Sequence, residues 1–179
     1  DADRAELAKR LTGAHDACHR AGEALTAARA KAAKSFDKKV SGLMERLGFA
    51  GGNFQTQLTP AGRPEPHGLE SVRFMVQTNP GEPSLPLART ASGGEVSRLM
   101  LAIKTVLAEH DRVPILIFDE IDTGIGGMLA KSVAEALAGL APSHQVLCIS
   151  HLHQIASRAD HHFHVYKGPS GDRTVTRVE

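Results

Sequence analysis

Residues Ile115–Asp122 read ILIFDEID: four apolar residues in a row, then two acids, an isoleucine and a third acid. A short continuous apolar run of this kind predicts a strand buried on both faces, as in a parallel sheet covered by helices. Open α/β sheets hold their ligands at the carboxyl ends of such strands. Asp119 and Glu120 fall at that end, and successive side chains on a strand point to opposite faces. The two carboxylates can therefore take different tasks. One can hold Mg²⁺ through hard oxygen atoms, directly or through water; the other can orient and deprotonate an attacking water. Asp122 precedes Gly124, Gly126 and Gly127, and suits a turn as well as it suits a site.

Upstream, Ser92–Glu109 has the spacing of a helix, with an apolar face at Val96, Leu99, Met100, Ile103 and Val106. It opens ASGGE. Ser92 and Glu95 stand at capping-box spacing, but Gly93 and Gly94 in a first helical turn each cost up to about 1 kcal/mol relative to Ala. A cap alone does not ask for that. Two bare positions let an anion approach the free amides at the positive end of the helix dipole. The pattern G-x-x-x-x-G-K-[ST], which would complete a phosphate loop, is missing from the chain.

Downstream, the sequence predicts a helix at about 128–140, a strand at Val146–Ile149, a strand around Phe163–Tyr166 and a last one near Thr174–Val178. Helices alternating with strands imply an α/β lobe with a mainly parallel sheet. His151 follows the second apolar strand at the same edge as Asp119, where an imidazole can hydrogen-bond a phosphate oxygen. His153, His161, His162 and His164 do not match a zinc spacing.

The N-terminal side is different. Leu7, Leu11, Ala14, Cys18, Ala21, Leu25, Ala28 and Ala32 alternate spacings of four and three, an a/d heptad seam. After one extra spacing of four, which resembles a stutter, it continues through Phe36, Val40, Leu43 and Leu47. A helix of about 45 residues would span roughly 70 Å, too long and thin to stand alone. The expectation is a coiled-coil arm over residues 1–47 and a lobe over 48–179; the alternative is an amphipathic helix lying on a globular core. Phe54, Thr56 and Leu58, and then Val72, Phe74 and Val76, alternate as in half-buried strands. Pro/Gly-rich loops are expected at TPAGRPEPHG (59–68) and NPGEPSLP (79–86).

Composition sets the outer limits. The 179 residues carry a formal charge of +1, are 4% aromatic and contain no Trp. The core is aliphatic, and the whole molecule has no strong field for nucleic acid, although the mildly basic arm is compatible with phosphate contacts. Cys18 and Cys148 lie in unlike contexts, which argues against a disulfide and for a reducing, cytosolic setting. No apolar stretch approaches the roughly 20 residues of a membrane span. The chain opens DADRAELAKR, without Met and already in helical register, and reads as a piece of a longer protein.

The fixed order of an ASGGE helix, an apolar strand ending in Asp-Glu, an acidic loop and a histidine after the next strand resembles the C-terminal lobe of an ATP-binding-cassette ATPase head. The entering arm narrows the resemblance to the group related to the structural maintenance of chromosomes proteins. The stretches LARTASGGEVSRLMLAIK, FDEIDTGIGG and ISHLHQIASRADHHFHVYK narrow it again, to a bacterial DNA-repair branch of that group. This resemblance covers most of residues 79–167; the arm matches only in kind, and Ala91 departs from the Leu common in the wider superfamily.

The resemblance implies that Ser92, Gly93, Gly94 and Glu95 contact ATP bound to a second head. It implies Asp119 as the Mg²⁺–water ligand, Glu120 as the catalytic base, Asp122 as a loop residue crossing the dimer interface and His151 as the γ-phosphate sensor. It further implies an N-terminal P-loop lobe, an ATP-dependent homodimer, DNA as partner, a place in the bacterial cytoplasm at the nucleoid, and a chain inactive without its missing lobe. Two other readings stand beside it: the head lobe of another coiled-coil ATPase of the group, and a DNA- or partner-binding module without catalysis.

Overall fold

The computed structural model of the chain describes residues 2–89, 93–170 and 173–179. It begins with one unbroken helix, α1 (Ala2–Arg46), which no proline interrupts. Gly48, at φ +99°, stops it, and the Phe49 N–H turns back to the Met44 carbonyl at 3.0 Å. A left-handed glycine just past the last turn is a common way to satisfy end carbonyls.

Beyond Gly48 the chain doubles back along the helix it has just left. β1 (Asn53–Glu65) and β2 (Gly68–Gln77) form a long antiparallel hairpin, and β3 (Leu85–Pro86) pairs with the other edge of β2. Most of the loop expected at 59–68 is therefore strand. Pro60 and Pro64 are tolerated because β1 is an edge strand, and the register shifts between Pro60 and Glu65.

Along its second half, α1 turns one stripe toward this hairpin: Gly22, Thr26, Arg29, Ala33, Asp37, Val40 and Met44, all buried or half-buried. Its first half offers a neighbouring stripe, the heptad seam, to solvent; Leu7, Leu11 and Leu25 are 64%, 73% and 38% exposed. The later seam positions Val40 and Leu47 are fully buried in the lobe's core. The same helix is thus an arm at one end and a core element at the other.

Near the lobe, Asp37 accepts from the Thr56 N–H at 3.0 Å and from the Thr56 hydroxyl at 2.7 Å. The Ser41 Oγ accepts from the Phe54 N–H at 3.0 Å. Phe36, Phe54 and Phe74 pack with centroids 5.3–5.8 Å apart, a spacing at which aromatic pairs attract beyond simple burial. At the far end, Leu69 sits on Gly22. A Cβ at Gly22 would lie 2.5–3.0 Å from the Leu69 side chain, so this mid-helix glycine makes room for the hairpin tip. Glu70, almost wholly buried, accepts hydrogen bonds from Thr26 and from Arg29, the latter at 2.8 Å.

The rest of the lobe is helix and strand in alternation: α2 (Gly93–Leu107), β4 (Ile115–Phe118), α3 (Gly127–Leu140), β5 (Gln145–Cys148) and the short α4 (His153–Ala156). A final hairpin pairs β6 (Val165–Ser170) with β7 (Arg173–Val178). β4 and β5 are parallel, with Ile115 opposite Gln145 and Phe118 opposite Cys148.

Two expectations change here. Among the described residues the parallel part is only this pair, and the other sheets are antiparallel, so the α/β lobe is mixed rather than mainly parallel. β4 is also buried on one face, not two. Leu116 and Phe118 join the core, while Ile115, Ile117, Leu147 and Ile149 are 48%, 67%, 41% and 61% exposed. No helix among the described residues is long and apolar enough to cross a membrane.

Candidate functional site at the ends of the parallel strands

The parallel pairing brings the two candidate loops together. The ladder ends with the Ile149 N–H donating to the Phe118 carbonyl at 2.9 Å. One strand then continues into Asp119–Asp122 and the other into Ser150 and His151. Asp119 and Glu120 are exposed, and the Glu120 N–H donates to Asp119 Oδ1 at 2.8 Å. Glu120 is the one non-glycine residue with positive φ among the described residues, at +55°. A bulky residue in that conformation costs of order 1 kcal/mol or more and persists only where its surroundings impose it.

Those surroundings are the first two turns of α2. Gly94 lies so close that a Cβ there would be 2.9 Å from Thr123 Cβ and 3.0 Å from the Glu120 carbonyl oxygen. A Cβ at Gly93 would overlap the Glu120 carboxylate. The Ser97 hydroxyl donates to the Asp119 carbonyl at 2.7 Å, and Arg98 Nη1 donates to the Thr123 carbonyl at 3.0 Å. The two glycines therefore have a reason within their own chain: they admit the turn that carries Glu120. Glu95, the next residue, is half-buried. Ser92, with Thr90 and Ala91, lies outside the described residues.

Asp122 is placed inward. Only 5% exposed, it accepts from the Ser150 hydroxyl at 2.6 Å and from the His151 N–H at 2.8 Å. Its Oδ2 lies 3.0 Å from His151 Nδ1. Burial works to raise its pKa, but these hydrogen bonds and the His151 ring outweigh burial and hold the carboxyl below the ordinary range. Within this chain the side chain faces inward, and the exposed stretch of the loop is the following turn, Thr123 and Gly124. The His151 side chain is 79% exposed. With Nδ1 turned to Asp122, Nε2 is the nitrogen left for a ligand. At Cys148, the last residue of β5, burial, with the charges of Asp122 and Asp119 adding, pushes the thiol up to about 11.

Among the described residues no three His, Cys, Asp or Glu side chains converge to hold a metal on their own. One exposed, oriented carboxylate suits Mg²⁺ shared with phosphate oxygens, since that ion is usually held by one or two carboxylates plus its substrate.

The sequence reading placed Asp119, Glu120 and His151 at one edge, and the paired strands carry them there. That reading missed Ser97, Arg98 and Ser150, which hold that edge in shape. A lone arginine beside the apolar run of α2, before Leu99, was the available signal for Arg98.

No family model matches the chain. A DNA repair protein RecN of Treponema pallidum is 48% identical over 162 residues, 87% of this chain and 28% of its own length. That of Xylella fastidiosa is 41% identical over 175 residues, 97% of this chain and 31% of its own length. That of Deinococcus radiodurans is 42% identical over 167 residues, 91% and 29% of the respective lengths.

Two solved structures share the fold. The Smc head domain of Pyrococcus furiosus, with an extended coiled coil and bound to the C-terminal domain of ScpA, matches 82% of this chain and 35% of its own at a TM-score of 0.56 and 18% identity. The Smc head of Pyrococcus yayanosii, with a coiled coil and joint, matches 82% of this chain and 26% of its own at 0.58 and 21%. The chain belongs to the RecN family of DNA repair proteins and spans less than a third of the curated relatives named here.

Proposed function

We propose that this chain is the C-terminal lobe, with the root of the arm, of an ATP-hydrolysing head that acts in DNA repair in the bacterial cytoplasm, at the nucleoid. The observation that carries the reading is the meeting of Asp119, Glu120 and His151 at the carboxyl edge of β4 and β5, beside a sheet face left bare. In this reading a P-loop lobe of the same protein covers Ile115, Ile117, Leu147 and Ile149 and brings ATP to that edge.

Each residue then has a task. Asp119 holds Mg²⁺, which when bound would neutralise phosphate charge. Glu120 accepts the proton of the attacking water, and its left-handed backbone, held by α2, fixes where the carboxylate can be. His151, steadied by Asp122, offers Nε2 to the γ-phosphate. Gly93, Gly94 and Glu95, with Ser92, form the face that meets ATP on a second head, so that two heads close over two nucleotides. Asp122 serves from within, and the turn after it is left to reach the partner head. The arm carries the resulting cycle to DNA.

The test is ATP turnover by this chain alone, by the P-loop lobe alone and by the two mixed. The expected outcome is turnover only on mixing. Glu120→Gln then lowers the rate about 10²-fold, the range for a lost general base, while ATP-dependent pairing of heads persists. Undiminished turnover in that variant would assign the base elsewhere; pairing and DNA binding without any turnover would favour a binding module.

A further inference from the structure

Arg98 is an expensive residue to bury. It is 7% exposed, its Nε has no hydrogen-bond partner among the described residues, and burial draws its pKa down despite the nearby Glu95 carboxylate. A charge so nearly buried is costly unless its donors are met, so its contacts carry its meaning. Nη1 reaches the Ile121 and Thr123 carbonyls at 3.4 and 3.0 Å, and those two residues bracket the end of the turn that begins at Glu120. Thr123 in turn donates its N–H to the Glu120 carbonyl at 3.0 Å. On its other side the guanidinium lies 5.8 Å from the centre of the Phe49 ring, within cation–π range. Phe49 is buried and closes the end of α1.

We propose that Arg98 is a positioning residue: it fixes the Glu120–Thr123 turn in its left-handed form and ties that turn, through Phe49, to the root of the arm. The inference rests on Glu120 being the base. A planar guanidinium can hold two carbonyls while stacking on a ring; an ammonium supplies a compact charge and cannot stack in the same way. Arm and site are therefore joined through one side chain, with the turn at one end and the arm's last residue cap at the other.

The test uses the head assembled from this chain and the P-loop lobe, with Arg98→Met, Arg98→Lys and Phe49→Leu. Arg98→Met is expected to lower kcat by about 10- to 100-fold, the scale of a small misplacement of a catalytic group, with KM for ATP and the stoichiometry of ATP binding unchanged. Arg98→Lys should recover part of the rate, and Phe49→Leu should lose less than either. Amide exchange at Thr123 should quicken at least tenfold in Arg98→Met, while Val133 and Leu137 in α3 keep their protection. Equal loss of protection in α3 would mean that Arg98 only stabilises the lobe, and unchanged exchange at Thr123 would overturn the proposal whatever the rate. The exchange measurement needs no turnover, so failure of Glu120→Gln to slow the unsubstituted head would count against the base and not against Arg98.

Discussion

The hairpin on α1 and the parallel pair β4–β5 both turn apolar side chains into the chain and end in opposite conditions. The hairpin turns Phe54, Thr56 and Phe74 toward the arm, and its tip closes on Gly22, Thr26 and Arg29. It completes its packing within the chain. The parallel pair sends Leu116 and Phe118 into the core and leaves Ile115, Ile117, Leu147 and Ile149 exposed by 41–67% on its other face or edge. Fully burying such a side chain contributes about 1.5–3 kcal/mol, so this face is a standing drive toward association. The packing of the hairpin is met within the chain, and that of the parallel pair, like that of the exposed seam at Leu7 and Leu11, is not.

The sharpest way to break that contrast is Ile117→Asp. Ile117 is 67% exposed, so the substitution should change the melting of the lone chain by no more than about 0.5 kcal/mol. Burying an unpaired carboxylate against another lobe is costly; association with the P-loop lobe, measured by calorimetry, should weaken at least about tenfold. Unchanged affinity would mean that the bare face is not the docking face, and the proposed arrangement of the two lobes would fail.

The same contrast decides what could be read in advance. Strand β4 was legible to the residue, because ILIF between Pro114 and Asp119 leaves little choice of limits. Its burial was not: the apolar run predicts cover on both faces, and among the described residues only one face is covered. The hairpin was half legible. Alternation at Phe54–Leu58 and Val72–Val76 marked its base, while prolines and glycines at 59–68 signalled a loop where an edge strand could absorb them. The a/d seam predicted the helix, but not that Gly22, Thr26 and Arg29 beside it would meet the hairpin tip together with the seam's own Phe36 at the base. At the site, the acids and the histidine announced themselves by chemistry. The positive φ of Glu120 and the inward turn of Asp122 depend on Arg98, Ser97 and Ser150, contacts between segments far apart in sequence, which no local pattern carries.

Two glycines of α1 sharpen the account of the arm with a smaller effect. Gly13 and Gly22 both lie inside the helix, but nothing lies within 4 Å of a Cβ at Gly13, whereas Leu69 fills that space at Gly22. Gly13→Ala should therefore stabilise by about 0.5–1 kcal/mol, the helix preference alone. Gly22→Leu should destabilise by about 1–3 kcal/mol, because overpacking outweighs the preference. Thermal melts of the two variants with opposite signs would confirm that the hairpin tip is seated on the arm. A gain in both would show that the tip swings free.

The smallest expected effect is a pH dependence at that tip. The Thr26 hydroxyl, then the Arg29 guanidinium, hydrogen-bond the Glu70 carboxylate and together outweigh burial, holding its pKa below the ordinary 4.5. A carboxyl that is more acidic folded than unfolded contributes stability that is fully present above the unfolded value and disappears as the pH falls through the folded one. The tip should stay clasped to the arm at neutral pH and release on acidification below 4.5, with amide exchange at Leu69 and Glu70 rising as it does. Glu70→Gln keeps the size and loses the charge, so its tip should exchange faster at neutral pH and respond little to acid. If the variant instead shows the same acid response as the unsubstituted chain, another carboxylate governs the release.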